Sequence, residues 1–299
     1  MPARAEDHFY GGQAVLEGVM MRGRNHWAIA VRRPDQSIHV ESHDIRSVGS
    51  RFPFLRKPGI RGVLALGQAL TIGVRALTIS ANQSVEDEEK LTPRQIALSM
   101  VFAFVLFIGV FVIAPFLGFR LLRHRVPSSL VRNILEGVFR VLLFLAYLAV
   151  IGRMKEIRRV FEYHGAEHKT IAAYEHGEPM EPTGVAKYST LHVRCGTNFL
   201  LIVMILTILI YAAFGNHGLL WGIVFRVVAI PVIAGISYEM LRLGARYPRS
   251  ALLRGLMTPG LWLQRITTKP PDVAQIQVAI QSFREVLRRE GTLASAEEA

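Results

Sequence analysis

The sequence predicts a mainly α-helical, polytopic membrane protein with about four spans, an additional interfacial or re-entrant helix and a small N-terminal β-hairpin module. Composition is the first reason: 51% of the 299 residues are hydrophobic and the mean hydropathy is +0.30, high for a soluble domain. Clustering is the second, because the apolar residues form long uncharged runs. The third is a net charge of +12, which fits Lys and Arg gathered beside anionic head groups on the cytoplasmic side of a bilayer.

The same composition argues against several other classes of protein. A basic chain can bind nucleic acid, but no basic groove with interleaved aromatic residues is recognisable, so no nucleic-acid partner is expected. One cysteine excludes an internal disulfide framework. The first apolar stretch is too short and too rich in glycine to be a signal peptide.

Hydropathy and charge divide the chain into six segments. They are an N-terminal cytoplasmic-face module (1–60), an interfacial or re-entrant helix with an acidic linker (61–94), a first transmembrane pair (95–152), a cytoplasmic segment (153–194), a second transmembrane pair (195–243) and an amphipathic cytoplasmic C-terminal region (244–299).

The N-terminal module is predicted to contain a β-hairpin. Gly11 and Gly12 permit a tight turn. Residues 27–31 and 37–40 have strand character, and residues 34–36 between them are typical of a turn.

The first transmembrane pair is predicted from two apolar runs. Residues 95–119 hold no charge, and Pro115 is expected to kink the far end of this helix. Residues 130–152 hold Glu136 and Arg140, which lie four residues apart and can pair on one helix face. A charged pair in a bilayer is costly, so this span is expected to have a buried face or a shallow position.

The second transmembrane pair and the interfacial or re-entrant helix are also predicted from the length of uncharged apolar runs. Residues 197–214 and 219–240 are separated by Gly-Asn-His-Gly, which breaks the apolar run into a helical hairpin, and the last helix contains Arg226. The uncharged residues 62–74 are too few to cross comfortably, so an interfacial or re-entrant helix is expected there.

The distribution of Lys and Arg predicts the orientation. The link between the third and fourth spans has neither, so it is expected outside, which places residues 153–194 and both chain termini in the cytoplasm. The link after the first span is basic, yet parity places it outside too. Either this link is an exception, or one of the first two spans is re-entrant. Its arginines are Arg120, Arg123, Arg125 and Arg132.

Residues 272–289 are predicted to form an amphipathic helix. Its apolar residues recur at helical spacing, and a packing or surface helix is favoured over a partner-binding one. The apolar residues at helical spacing are Val273, Ile276, Ile280, Phe283 and Leu287.

A histidine motif in the cytoplasmic segment is the candidate for chemistry. His164, Glu167 and His168 form the pattern H-x-x-E-H, whose positions i, i+3 and i+4 share one face of a helix. The two imidazoles could hold one divalent metal, with zinc expected, while Glu167 takes a proton from a metal-activated water. The spacing is that of the inverted zincin motif. The alternative is a pair of solvated or hydrogen-bonded histidines.

A catalytic zinc usually has a third protein ligand and an open position. Glu239 is one candidate, because it lies at the inner end of the fourth span and inverted zincins also use a downstream glutamate, although it could instead pair with Arg242. His192 and Cys195 are candidates on the same side, and Glu175 is a weaker one. Cys195 could equally be a small buried residue.

Five blocks of sequence resemble a known family. They begin at Gly11, Tyr163, His192, Ala234 and Pro259, and they read G-G-Q-A-V-L-E-G-V-M-M-R-G, Y-H-G-A-E-H-K-T, H-V-R-C-G-T, A-G-I-S-Y-E and P-G-L-W-L-Q. These blocks are similar to the DUF1385 family of bacterial membrane proteins, the YqhQ-like proteins. The resemblance implies a predicted metal-dependent enzyme in the bacterial cytoplasmic (inner) membrane.

The blocks also add three residues to the candidate site. Glu17, Arg22 and Arg194 lie in matching blocks and are assigned a substrate-binding or structural role. The block around Glu17 implies that the N-terminal module packs near the histidines, as a lid or substrate-binding edge. A structural turn shaped by glycine is the favoured alternative for that block.

Two functions from different classes are consistent with these features. The first is a metal-dependent hydrolase at the cytoplasmic membrane face, acting on a peptide or a lipid-linked substrate. The second is a non-enzymatic membrane scaffold or assembly factor with a structural metal or none. Transport is less favoured, because four spans leave little room for a path.

Overall fold

The computed structural model describes residues 10–45, 57, 59–86, 90–126, 128–192, 195–214, 218–247 and 250–292. The strands are β1 (Gly11–Val15), β2 (Gly18–Arg22), β3 (His26–Arg32) and β4 (Ile38–Asp44). The helices are α1 (Ile60–Gln83), α2 (Pro93–Leu121), α3 (Ser129–Ile151), α4 (Lys155–Glu175), α5 (Pro182–Val185), α6 (Gly196–Phe214), α7 (Leu219–Arg246), α8 (Ala251–Thr267) and α9 (Val273–Glu290).

The strands form one antiparallel sheet in the order β1-β2-β3-β4. The predicted strands and the turn between them are confirmed as β3, β4 and their connection. The prediction for Gly11 and Gly12 was wrong, because both lie in β1, where they pair with Arg22 and Met21. Glycine has low strand propensity, so only the pairing with β2 reveals this strand.

Each face of the sheet packs against helices, as the alternation of side chains along a strand requires. One face packs against α4 and α9, with Met21 and Ala28 in the same core as Tyr163 and Phe283. The opposite face packs against α1. That second core contains Val15, Met20, Trp27, Ile29, Val31, Ile72 and Ala76.

The predicted amphipathic helix is α9, and its apolar stripe packs against the sheet. Asp272 caps its N-terminus by accepting from the Gln275 backbone N–H at 2.7 Å, which stabilises the first turn. Val273 is exposed because it occupies the first helical position. The other predicted apolar positions, Ile276, Ile280, Phe283 and Leu287, are buried.

Within the part of the chain that the structure describes, five helices are long and apolar enough to cross a membrane by length and composition: α1, α2, α3, α6 and α7. Four of them match the predicted spans. The helix α2 continues through Pro115 after a π-helical turn at Gly109–Ile113, and such turns accommodate the missing N–H and the ring of a proline. The fifth, α1, is longer than the uncharged run of residues 62–74, since it continues past Arg75 to Gln83.

The two halves of α1 have different neighbours. Near its start, Gly62 lies against the Tyr238 side chain of α7. Its second half lies on the sheet, where Gly73 contacts Gln13 and the Arg75 guanidinium lies 5.7 Å from the centre of the Trp27 ring.

Candidate metal centre

The H-x-x-E-H motif lies in the middle of α4, on the face that points into the protein. Glu167 and His168 are buried, and the His164 side chain is 15% exposed. Gly165, on the same helix, has no side chain, and this allows the backbone of Lys269 to approach closely. The segment after α8 can therefore pass directly over the motif.

Backbone carbonyls fix the tautomers of both histidines. The Nδ1 of His164 lies 2.8 Å from the Thr267 carbonyl oxygen, and the Nδ1 of His168 lies 2.5 Å from that of Thr190. A carbonyl oxygen only accepts, so each Nδ1 must donate its hydrogen. In a neutral imidazole this leaves the Nε2 lone pair free to bind a metal, which is the usual outer-shell arrangement of zinc-binding histidines.

Cys195 supplies a third ligand atom. Its Sγ lies 3.2 Å from the Nε2 of His164, and the ligand atoms of His164, His168 and Cys195 all lie within 4.8 Å of one another. The residue immediately precedes α6, and the Thr197 hydroxyl lies 3.3 Å from the sulfur. Burial raises the pKa of the thiol to about 11, so without a metal the sulfur is protonated and donates to His164.

The donor set fits zinc. The His168 Nε2 is buried and has no hydrogen-bond partner, which is costly for a polar atom unless it binds something. Burial lowers the pKa of this histidine to about 3, so it stays neutral at physiological pH, as a metal ligand must. Tetrahedral zinc bonds of about 2.0–2.3 Å place ligand atoms about 3.3–3.8 Å apart. Ligand atoms separated by up to 4.8 Å would therefore have to move closer around the ion. Imidazole nitrogen and thiolate sulfur are both ordinary zinc ligands, and a catalytic zinc site uses three protein ligands.

Glu167 lies beside the three candidate ligands, and its pKa is raised. Its Oε2 is 3.9 Å from the His164 Nε2, and its carboxylate accepts a hydrogen bond from the Gly12 backbone N–H. Burial raises the pKa of this carboxyl to about 7, opposed by His164 and by the Gly12 N–H. A carboxyl with this pKa can exchange protons at neutral pH.

Glu239 does not join this cluster. Its carboxylate accepts from the Arg61 guanidinium, with Nε to Oε1 at 2.7 Å and a second bond from Nη2 to Oε2. The predicted pairing with an arginine is therefore observed, although the partner is Arg61, and Arg242 lines the same small cleft. The structure therefore places Glu239 with Arg61 and apart from the described ligand group, because α1 begins beside the end of α7, which the sequence did not reveal.

His192 and Glu175 form a pair beside the cluster. The Nε2 of His192 lies 3.3 Å from Oε2 of Glu175, and its ring centre is 5.8 Å from that of His168. Burial lowers the pKa of His192. The side-chain amide of Gln264 binds the backbone N–H and carbonyl of His192, each at 2.8 Å, and so fixes this segment next to the site.

Glu17 and Arg22, the two candidate site residues of the N-terminal block, bind residues of α4 and α1. The Glu17 carboxylate accepts two hydrogen bonds of 2.5 Å from the Arg159 guanidinium and one of 3.2 Å from the Tyr163 hydroxyl. Arg159 and Tyr163 lie on the same face of α4. Arg22 donates to the Gln68 side chain of α1 at 2.5 Å, and burial lowers its pKa. The prediction that this block packs near the histidines is thus consistent with the contacts of α4. Arg194 lies outside the described residues.

Sequence reasoning missed three residues that position the site. They are Gly12, Thr190 and Thr267, and each acts through its backbone, which leaves no signature in the residue type. Only Gly12 gave a signal, because it lies in a block that resembles the family.

Comparisons with known proteins agree on one family. The family model described as "Protein of unknown function (DUF1385)" matches residues 57–289, which include the whole cluster of ligands. The "Uncharacterized protein YqhQ" of Bacillus subtilis (strain 168) is 35% identical over 300 residues, covering 94% of this chain and 93% of the relative. No solved structure matches the chain. The chain belongs to the DUF1385 family.

Proposed function

We propose that the chain is a membrane-embedded, metal-dependent hydrolase whose zinc ion is held by His164, His168 and Cys195. The observation that supports this most strongly is the pair of Nδ1–carbonyl bonds, which leave both Nε2 atoms pointing at the same space as the cysteine sulfur. Hydrogen-bonded histidines without a metal would show the same bonds, but they would leave the buried His168 Nε2 without a partner.

The neighbouring groups fit a hydrolytic reaction. A zinc ion at this position would act as a Lewis acid and activate a water molecule. Glu167 would serve as the group that accepts a proton from such a water and gives it to the leaving group, and its pKa of about 7 suits both roles at neutral pH. The Gly12 N–H holds the carboxylate in one orientation.

The proposed location is the cytoplasmic face of the bacterial inner membrane. The sheet, α4 and α9 share one core, so all three must lie on the same side of a bilayer. An even number of crossings must therefore separate β4 from α4, and another even number must separate α4 from α9. The helices α6 and α7 satisfy the second condition.

Three helices, α1, α2 and α3, lie between β4 and α4, so an even number of crossings requires that two of them cross and one does not. We assign α1 as the helix that does not cross, because its second half covers the sheet through Ile72, Gly73 and Ala76. This gives four crossing helices and an interfacial one. The basic link between α2 and α3 then lies outside, and both chain termini lie in the cytoplasm.

This topology supports a substrate at the membrane surface. Cys195 directly precedes α6, so the site lies at the inner end of a crossing helix. On α8, which packs against α6, Trp262 is 65% exposed, as is common for tryptophan at the level of lipid head groups. We therefore propose a membrane-anchored peptide or a lipid-linked ester or amide as the substrate class.

The rival function is a scaffold with a structural metal. A structural zinc ion has all four coordination positions filled by the protein, whereas a catalytic one has a position open to water or substrate. Cobalt(II) substituted into the purified protein should give a thiolate charge-transfer band that is lost in Cys195→Ser. A hydroxamate ligand should then shift the visible bands of the wild type, because a catalytic site keeps one position open. Bands that do not respond to hydroxamate would indicate a closed structural site and contradict the hydrolase proposal.

A further inference from the structure

A buried charge network joins the crossing helices at a distance from the metal centre. Glu136 of α3 accepts from Arg140 one turn later at 2.7 Å, which confirms the predicted pair, and from Arg226 of α7 at 3.0 Å. The side chains of Glu136 and Arg226 are only 4% and 3% exposed. Charges this deeply buried are expensive in a membrane and usually have a functional reason.

Arg226 has a counter-charge and two aromatic neighbours. Its two contacts with Glu136, at 3.0 and 3.3 Å, form a neutral pair. Its guanidinium lies 4.1 Å from the Phe116 ring centre of α2 and 4.9 Å from that of Tyr211 of α6, and both rings favour a cation. The contacts of Arg226 therefore join α7 to α2, α3 and α6.

Arg140 is the second cation on the same carboxylate, so the network has an excess positive charge. The sequence offers no further acid, since residues 93–152 contain Glu136 alone and residues 196–238 contain none. The Nε atoms of Arg140 and Arg226 are buried without a hydrogen-bond partner. The Arg140 side chain is the most exposed of the three at 13%, which makes it the point of access.

The network lies toward the outer ends of the helices in the proposed topology. Glu136 and Arg226 each lie seven residues after the first residue of their helices, or about 10 Å at 1.5 Å per residue. Side chains on a helix lean toward its N-terminus, which is the outer end for α3, so Arg140 reaches outward. Three more arginines whose side chains the structure describes occupy the adjoining link and helix ends: Arg120, Arg125 and Arg132.

We infer that Arg140, held beside the neutral Arg226–Glu136 pair, forms with Arg120, Arg125 and Arg132 an anion site that binds a phosphate group at the outer side of the helical bundle. The inference goes beyond the proposed hydrolase and needs only the assigned topology. It also explains why a basic link lies on the side where positive charge is disfavoured, because the phosphate supplies the missing negative charge. The phosphate can belong to an anionic phospholipid head group or be a free ion.

Thermal unfolding of the purified full-length protein tests the site. In mixed micelles, phosphatidylglycerol should raise the unfolding midpoint by about 2 °C or more relative to phosphatidylcholine. Arg140→Gln should lose this response, because the neutral Arg226–Glu136 pair then needs no counter-charge, whereas Arg140→Lys should keep it. Arg153→Gln, an exposed arginine at the inner end of α3, is the matched control and should respond like the wild type.

A parallel series with inorganic phosphate distinguishes the two sources. A rise with phosphatidylglycerol alone identifies a head group, and a rise with inorganic phosphate as well identifies a free anion; both support the site. An equal response in Arg140→Gln and the wild type would overturn it. Should Arg140→Gln fail to fold, native mass spectrometry of the wild type decides, since no preferential retention of phosphatidylglycerol or phosphate would overturn the proposal.

Discussion

Gly12 of β1 lies so close to Glu167 of α4 that a Cβ at its position would approach the Glu167 Cγ to 2.8 Å and the Met20 carbonyl oxygen to 2.7 Å. The strand can therefore reach the motif helix only because residue 12 has no side chain. Its backbone N–H then binds the Glu167 carboxylate. The N-terminal sheet is in this way part of the candidate site.

Gly12→Ala should weaken the site, because the new methyl group must displace the Glu167 side chain. Outer-shell changes of this kind typically cost about 10-fold or more in metal affinity or activity. Competition titration with a zinc chelator measures the affinity. Gly11→Ala is the matched control, since nothing lies within 4 Å of a Cβ at that position. Equal affinities for the two variants would refute a role for the close contact.

Gly165→Ala should disturb the other side of the site. A Cβ there would collide with the Lys269 carbonyl and lie 3.2 Å from the Thr190 Cγ2, and both segments supply carbonyls that orient the histidines. Zinc affinity should fall by about 10- to 100-fold. Gly67→Ala, a helical glycine with open space around it, should instead leave zinc affinity unchanged. Loss of affinity in both variants would point to general helix damage.

Periodic patterns of residues made the helices predictable, but no pattern in the sequence revealed the contacts between distant segments. The four spans and the stripe of α9 follow from spacing that each segment contains within itself. In contrast, the choice between Cys195 and Glu239 as a ligand depends on where α1 begins, and Arg61 is 178 residues away from the glutamate that it binds. Likewise, β1 is too short and glycine-rich to be recognised without its partner strand.

The motif itself was predictable, but its outer shell was not. His164, Glu167 and His168 share a helix face by spacing alone, and that prediction requires no tertiary information. The carbonyls of Thr190 and Thr267 reach the histidines from segments 22 and 103 residues away. Any residue type could supply those carbonyls, so no sequence pattern identifies them.

Glu239→Ala should lower stability and leave zinc binding unchanged. Its carboxylate binds Arg61 through two hydrogen bonds, and losing it leaves the guanidinium without that partner. Thermal unfolding and a zinc titration on the same preparation separate the two effects. The double variant Arg61→Glu/Glu239→Arg should recover part of the stability. A loss of zinc binding in Glu239→Ala would restore this residue as a ligand candidate.

Glu17 lies in the two-residue turn between β1 and β2 with a strained backbone conformation. Its φ of 49° lies in the left-handed region, which costs a residue with a Cβ about 1–2 kcal/mol. Glu17→Ala loses the contacts with Arg159 and Tyr163 and keeps the strain, whereas Glu17→Gly loses the contacts and relieves it. The glycine variant should therefore unfold at a higher temperature than the alanine variant. The reverse order would show that strain at this turn is unimportant.

Metal analysis of the purified protein tests the central claim most directly. The wild type should bind about one zinc ion per chain, since three ligands converge on one position. His168→Ala and Cys195→Ser should each lose it. His176→Ala removes the histidine that directly follows α4, whose Nδ1 binds the Ala172 carbonyl, and should retain the ion. A wild-type protein that holds no zinc after dialysis against a zinc buffer would contradict the account.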